Sequence, residues 1–256
     1  MIVPGSLAGC LRSQLMVDHN LPTRPSALAL FCRKPSLGAG KRRLARVLGD
    51  LRTFAVATAL LECVLEDAAA WPDQLIISPA EASDAQWAGR LMSRSAWVVP
   101  QPDGNLGERI AAVDTVARVR GCDRVLFIGS DAPSMRPEDL TAARAALDHS
   151  DVVLIPAVDG GVTLMGSRVA WPDLTDLPWS EVSLGEALEH RCLQTGRAVT
   201  RLAGSYDVDT PEDLARAVDQ LAQDPRPARR RLHALLRELA LSEPGAEDPG
   251  RAGVPR

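Results

Sequence analysis

Ala27-Leu28-Ala29-Leu30-Phe31-Cys32 runs directly into Arg33-Lys34-Pro35-Ser36-Leu37-Gly38-Ala39-Gly40-Lys41-Arg42-Arg43, and this stretch decides the reading of the whole chain. The apolar hexapeptide is short and uninterrupted, as suits a buried strand. Two glycines and five cations follow within eleven residues, and a helix is expected to start at Lys41 and run to Leu48. Strand, glycine-bearing loop and helix in that order form the first unit of an alternating α/β pattern.

The alternation continues downstream. A helix is expected from about Arg52 to Ala70, with Leu60, Leu61, Val64 and Leu65 at helical spacing. Strands are expected at Gln74–Ser78, Trp97–Val99, Arg124–Gly129, Asp151–Ile155, Gly161–Met165 and Ala198–Leu202. Between them lie helices over Ala85–Met92, Asn105–Val119, after Pro137, and near Leu184–Gln194. Thr210-Pro211-Glu212-Asp213 reads as the capped start of a last domain helix, with proline at the first helical position. Such alternation predicts a mostly parallel central sheet with helices on both faces. One domain is expected over residues 26–222, after a weakly ordered extension at 1–25 that holds Pro4, Pro22 and Pro25. Residues 223–256 are expected to break from the fold at Asp224-Pro225-Arg226-Pro227. A helix decorated by Arg229, Arg230, Arg231 and Arg237 and a Pro/Gly-rich disordered end would follow. That helix is read as an amphipathic one docked on the domain in preference to a nucleic-acid contact.

Composition agrees. The 256 residues are 46% hydrophobic and 24% charged, with 29 Lys+Arg against 33 Asp+Glu and a net charge of −4. A slightly acidic chain is not built as a nucleic-acid coat or a membrane-surface binder. Cys10, Cys32, Cys63, Cys122 and Cys192 are scattered and form no CxxC, which fits a reducing compartment rather than a disulfide framework. Leu7-Ala8-Gly9-Cys10 looks like a lipoprotein box but lacks the basic and apolar segments of a leader. No stretch approaches a membrane span, and the expected location is the cytoplasm. Four histidines without clustering make a histidine metal site or a Ser-His-Asp triad a poor reading.

Ligands of open α/β sheets bind at the carboxyl ends of the strands, so polar residues there carry the chemistry. Four places qualify. The basic loop Arg33–Arg43 offers Gly38 and Gly40 for close backbone approach, and its concentrated positive charge calls for an anion such as phosphate. Asp131 follows the most apolar strand, where a hard oxygen ligand suits Mg²⁺ or Mn²⁺. Asp207 and Asp209, one residue apart, face the same way in an extended chain and can share a cation with Asp131. Asp159-Gly160-Gly161 reads as a tight turn against a ligand or as a plain hairpin turn; Asp159 is placed to orient a hydroxyl or act as a base.

At these residues the chain resembles the nucleotide-diphospho-sugar transferase superfamily. The resemblance is nearest to a bacterial glycosyltransferase family associated with selenium-domain and arsenosugar gene clusters. It is carried by Phe31–Ala45, Leu106-Gly107-Glu108-Arg109, Gly129–Pro133, Asp159–Gly166, Pro178-Trp179-Ser180 and Asp207–Leu214, in order across about residues 27–222. Parts of the pattern are shared with 2-phospho-lactate and molybdenum-cofactor guanylyltransferases. Arg42 departs from the usual threonine, and Val162-Thr163 from an aromatic pair.

The resemblance implies a Rossmann-like GT-A fold. It implies Asp131, Asp207 and Asp209 as metal ligands, Arg33, Lys41 and Arg43 on nucleotide phosphates, and Asp159, Gly160 and Gly161 lining the sugar or acceptor pocket. Asp131, Asp159 and Lys41 are then the expected catalytic residues. The leading expectation is a metal-dependent glycosyltransferase moving a sugar from a nucleotide sugar to a small acceptor. The alternative is a nucleotidyltransferase that joins a nucleoside triphosphate to a phosphorylated small molecule and releases pyrophosphate. A non-catalytic nucleotide-binding relative is the third reading.

Overall fold

The structure, a computed structural model, describes residues 25–241. Residues 1–24 of the expected extension, the Cys10 box among them, and the residues beyond 241 lie outside the described residues.

The first strand, β1 (Ser26–Cys32), leads through the basic loop to α1 (Arg42–Leu48) and α2 (Asp50–Ala69). Then come β2 (Gln74–Pro79), α3 (Ala85–Ala88), β3 (Trp97–Val98), α4 (Leu106–Val119), β4 (Arg124–Ile128) and α5 (Pro137–Ala146). The second half adds β5 (Val152–Pro156), β6 (Val162–Ser167), α6 (Leu184–Gln194), β7 (Val199–Arg201), α7 (Pro211–Leu221) and α8 (Pro227–Leu241). The helix expected over Ala85–Met92 ends at Ala88: Gly89 disfavours continuation, and the Arg94 guanidinium bonds the Trp71 and Asp73 carbonyls just beyond.

The strands form one sheet in the order β3-β2-β1-β4-β6-β5-β7. β1 pairs in parallel with β2 and β4, and β2 with β3. β6 is the exception, antiparallel to both β4 and β5, because the 157–161 turn returns the chain as a hairpin. Alternate residues of β1 enter opposite cores. Leu28 and Leu30 pack with Leu61, Val64 and Leu140 on the α2/α5 side. Ala27 and Ala29 pack with Ile110, Val113 and Leu188 on the α4/α6 side. Burial on both faces is why the run is uniformly apolar rather than alternating. A third cluster joins Leu44, Val56 and Leu60 to Tyr206, Val208, Leu232 and Leu236, so α7 and α8 pack against α1 and α2.

From β1 the chain moves outward to β2 and β3, then returns to place β4 on the other side of β1. The carboxyl ends of β1 and β4 therefore diverge at a topological switch point, where crevices form in open sheets. The basic loop leaves β1 here, and Asp131 leaves β4 here.

Candidate active site at the switch point

Lys41 organises this region. It is the residue before α1 and adopts left-handed backbone (φ 38°, ψ 46°), a conformation a non-glycine side chain rarely takes. The conformation accompanies an inward-directed ammonium, 13% exposed. Nζ donates to Asp131 Oδ2 at 3.2 Å, to Asp209 Oδ1 at 3.1 Å and to the Val208 carbonyl at 2.5 Å. Burial alone would lower its pKa; Asp131 and Asp209 outweigh that, and the net shift is upward, so the lysine is charged.

The segment carrying Asp207 and Asp209 is fixed by the backbone. The Val208 N–H donates to the Asp131 carbonyl at 2.9 Å. Beyond it, Thr210 caps α7 in the reciprocal arrangement expected from the sequence. Its hydroxyl accepts from the Asp213 N–H at 3.3 Å, and Asp213 Oδ2 accepts from the N–H groups of Asp209 and Thr210. Asp209 is thus free of capping duty.

Asp207 shows how concentrated the negative charge is. Half-burial pushes its pKa up to about 6, and Asp131, Asp159 and Asp209 push in the same direction. No ion pair among the described residues includes it. Two carboxylates, Asp131 and Asp209, thus share the Lys41 ammonium, while Asp207 feels their charge and that of Asp159 without an ion pair of its own.

Other expected residues stand elsewhere. Arg33 pairs with Glu81 at 3.7 Å and Lys34 with Asp84 at 3.6 Å, not with the aspartates around Lys41. Gly38 and Gly40 take φ of 72° and 74° on an exposed loop, as their conformational freedom allows. Arg42 and Arg43 are exposed and make no ion pair among the described residues.

The Asp159 turn has a structural role that the spacing did not reveal. Asp159 Oδ1 accepts from the Gly161 N–H at 3.0 Å, and the Gly160 carbonyl accepts from the Gly185 N–H at 2.8 Å. A Cβ on Gly160 would stand 1.8 Å from the Val182 carbonyl oxygen. Gly160 thus allows the turn to press against the entrance of α6, and the exposed Asp159 is fixed beside it. In Leu106–Arg109, Glu108 completes a capping box with Asn105, and a Cβ on Gly107 would stand 2.4 Å from the Leu174 carbonyl. Ser180, quoted above only as part of Pro178-Trp179-Ser180, is a left-handed non-glycine residue at φ 71° ahead of α6. Only coordinates reveal such strain.

Asp131, Asp207 and Asp209 were expected to hold a metal ion. Among the described residues no group of three His, Cys, Asp or Glu side chains is gathered closely enough to do so, because the Lys41 ammonium stands between Asp131 and Asp209. The donor chemistry nevertheless fits Mg²⁺ or Mn²⁺. Asp131, Asp207 and Asp209 offer hard carboxylate oxygens, and Asp207 makes no ion pair among the described residues.

Comparison with known proteins agrees with this frame. A crystal structure from Desulfovibrio desulfuricans G20, provisionally assigned as a nucleotide-diphospho-sugar transferase, superposes with a TM-score of 0.75 at 26% identity. The match covers 84% of this chain and 95% of that one. A Mycobacterium sp. strain JC1 homologue of M. tuberculosis Rv0371c superposes at 0.51 with 20% identity, over 85% and 100% of the two chains. The fold is that of the nucleotide-diphospho-sugar transferases, as the sequence resemblance implied. In sequence, residues 61–181 match a family model described as an uncharacterized protein conserved in bacteria, DUF2064. A phosphoenolpyruvate guanylyltransferase from Geodermatophilus obscurus is 36% identical over 113 residues, 42% of this chain and 48% of that protein. The chain thus spans about half the length of that curated relative. No helix among the described residues is long and apolar enough to cross a membrane.

Proposed function

We propose that this chain is a nucleotidyltransferase, joining a nucleoside triphosphate to a phosphorylated small acid and releasing pyrophosphate. The observation that carries the reading lies at one switch point: Lys41 bonds Asp131 and Asp209, and Arg42 and Arg43, exposed and without an ion pair among the described residues, directly follow it in the chain. A triphosphate needs such a density of positive charge more than a nucleotide sugar does, and the name of the guanylyltransferase relative points the same way.

In this reading an oxygen of the acceptor phosphate attacks the α-phosphorus, and the bond from that phosphorus to the bridging oxygen breaks. Pyrophosphate leaves with the bonding electrons, and an ionised acceptor needs no base. Arg42 and Arg43 meet the charge growing on the leaving group. Lys41 holds Asp131 and Asp209 in register, and the free oxygen of Asp159 orients the acceptor. Asp131, Asp207 and Asp209 would hold Mg²⁺ or Mn²⁺, which supplies charge neutralisation at the phosphates when bound. Free, buried Cys32, Cys63, Cys122 and Cys192 support a cytoplasmic setting.

Glycosyl transfer from a nucleotide sugar is the second reading, favoured by the assignment of the Desulfovibrio structure. The two separate by product. The protein is incubated with Mg²⁺ and each nucleoside triphosphate, GTP first, using phosphoenolpyruvate as the first acceptor, and pyrophosphate is measured. A parallel set with nucleotide sugars is assayed for nucleoside diphosphate. Pyrophosphate release that falls at least a hundredfold in Asp131→Asn supports the proposal. Diphosphate release alone moves the function to glycosyl transfer, and no turnover in either set overturns both.

A further inference from the structure

The loop that carries Asp131 is gripped by α8, the helix read from the sequence as docked on the domain. Arg229, in the first turn of α8, has no exposed surface. Its Nε donates to the Pro133 carbonyl at 3.2 Å and its Nη2 to the Met135 carbonyl at 3.1 Å. The remaining donors reach the Cys63 carbonyl, Glu66 Oε2 at 3.2 Å and Asp67 Oδ2, all on α2. Arg226 adds a second grip, with Nη1 on the Met135 carbonyl at 2.8 Å and on Asp67 Oδ1 at 2.9 Å. Asp67 is itself only 1% exposed. These contacts correct the sequence reading of Arg229 as a surface decoration and of Asp224–Pro227 as a break in the fold.

A buried ion cluster is a poor way to gain stability, because desolvation offsets most of the attraction and apolar packing does as well. What a guanidinium adds is a rigid planar fork that fixes several acceptors at once. Here the fixed acceptors are carbonyls two and four residues beyond Asp131. We infer that Arg229, seconded by Arg226, is a positioning residue that sets the Asp131 carboxylate for cation binding. The inference rests on the reading of Asp131 as a cation ligand. It makes α8 part of the working site without touching substrate, as partners behind metal ligands do in general.

The test uses the full chain, stripped with EDTA and titrated with Mn²⁺ alone, free Mn²⁺ being counted by electron paramagnetic resonance. Arg229→Lys keeps the charge opposite Asp67 but cannot hold both carbonyls. Its apparent Kd for Mn²⁺ is expected to weaken about tenfold. Leu232→Ala, at a fully buried position of the same helix, is expected to lower Tm at least as much while leaving Kd unchanged. Unchanged Mn²⁺ affinity in Arg229→Lys, or equal weakening in Leu232→Ala, overturns the inference. If Arg229→Lys does not fold, Arg226→Lys is read in its place with the same criteria. If the unmodified protein binds no Mn²⁺, the cation reading itself fails. Hydrogen exchange then tests the grip alone: faster exchange across residues 129–135 in Arg229→Lys than in Leu232→Ala supports it, and equal exchange overturns it.

Discussion

Gly160→Ala isolates the contact between the 159–161 turn and the entrance of α6. Gly160 has φ of 92°, and an alanine Cβ would lie 1.8 Å from the Val182 carbonyl oxygen. Positive φ costs an alanine about 1–2 kcal/mol. Separating the turn from α6 far enough to admit the methyl breaks the 2.8 Å hydrogen bond from Gly185 to Gly160, about 1 kcal/mol. Residual overpacking adds about 1–3 kcal/mol. The sum is roughly 3–6 kcal/mol, or a fall in Tm of about 6–24 °C at 2–4 °C per kcal/mol for a chain of this size. Gly121 provides the internal control: φ is 91° and nothing lies within 4 Å of its added Cβ. Gly121→Ala should therefore cost only the conformational part, about 1–2 kcal/mol. Urea unfolding followed by circular dichroism measures both. Equal costs would refute close packing between the 159–161 turn and the entrance of α6, and with it the fixed position of Asp159.

Asp207 makes the metal-free protein pH-sensitive. With its folded pKa raised to about 6 above an ordinary 3.8, the folded state holds the proton more tightly than the unfolded state, so stability falls as pH rises between about 4 and 6. In EDTA, Asp207→Asn should remove this slope and be more stable than the parent above pH 6 by about 1–3 kcal/mol, after allowance for partial exposure; chemical denaturation at pH 4 and pH 7 that shows no difference in slope would contradict it. Burial pushes the Cys32 and Cys63 thiols up to about 12 and Cys192 to about 11. Iodoacetamide at pH 8 should therefore label these three only at the rate of unfolding, and rapid labelling read by peptide mass spectrometry would show that they are not buried as described.

Much of this architecture was legible in the residues. The runs at Ala27–Cys32 and Val125–Ile128 are apolar throughout because both faces of each strand are covered, and a local pattern reports such burial directly. Thr210-Pro211-Glu212-Asp213 likewise announces a helix start, since its capping contacts close within four residues. The hairpin at Asp159–Gly161 left the direction of β6 open. A two-glycine turn fits either a ligand or a reversal, and which neighbour receives β6 depends on the rest of the sheet.

The sequence by itself determined an α/β chain with a basic loop after its first strand and aspartates after later ones, because periodicity, turn chemistry and charge are local properties. Tertiary structure alone decided that Lys41 crosses 90 and 168 positions of chain to stand between Asp131 and Asp209. It also decided that Gly160 serves the entrance of α6, and that Arg229 leaves the surface to grip the Asp131 loop. Each of these depends on which distant segment supplies the missing partner, and a buried charge or a left-handed residue is tolerated only where the assembled fold supplies it.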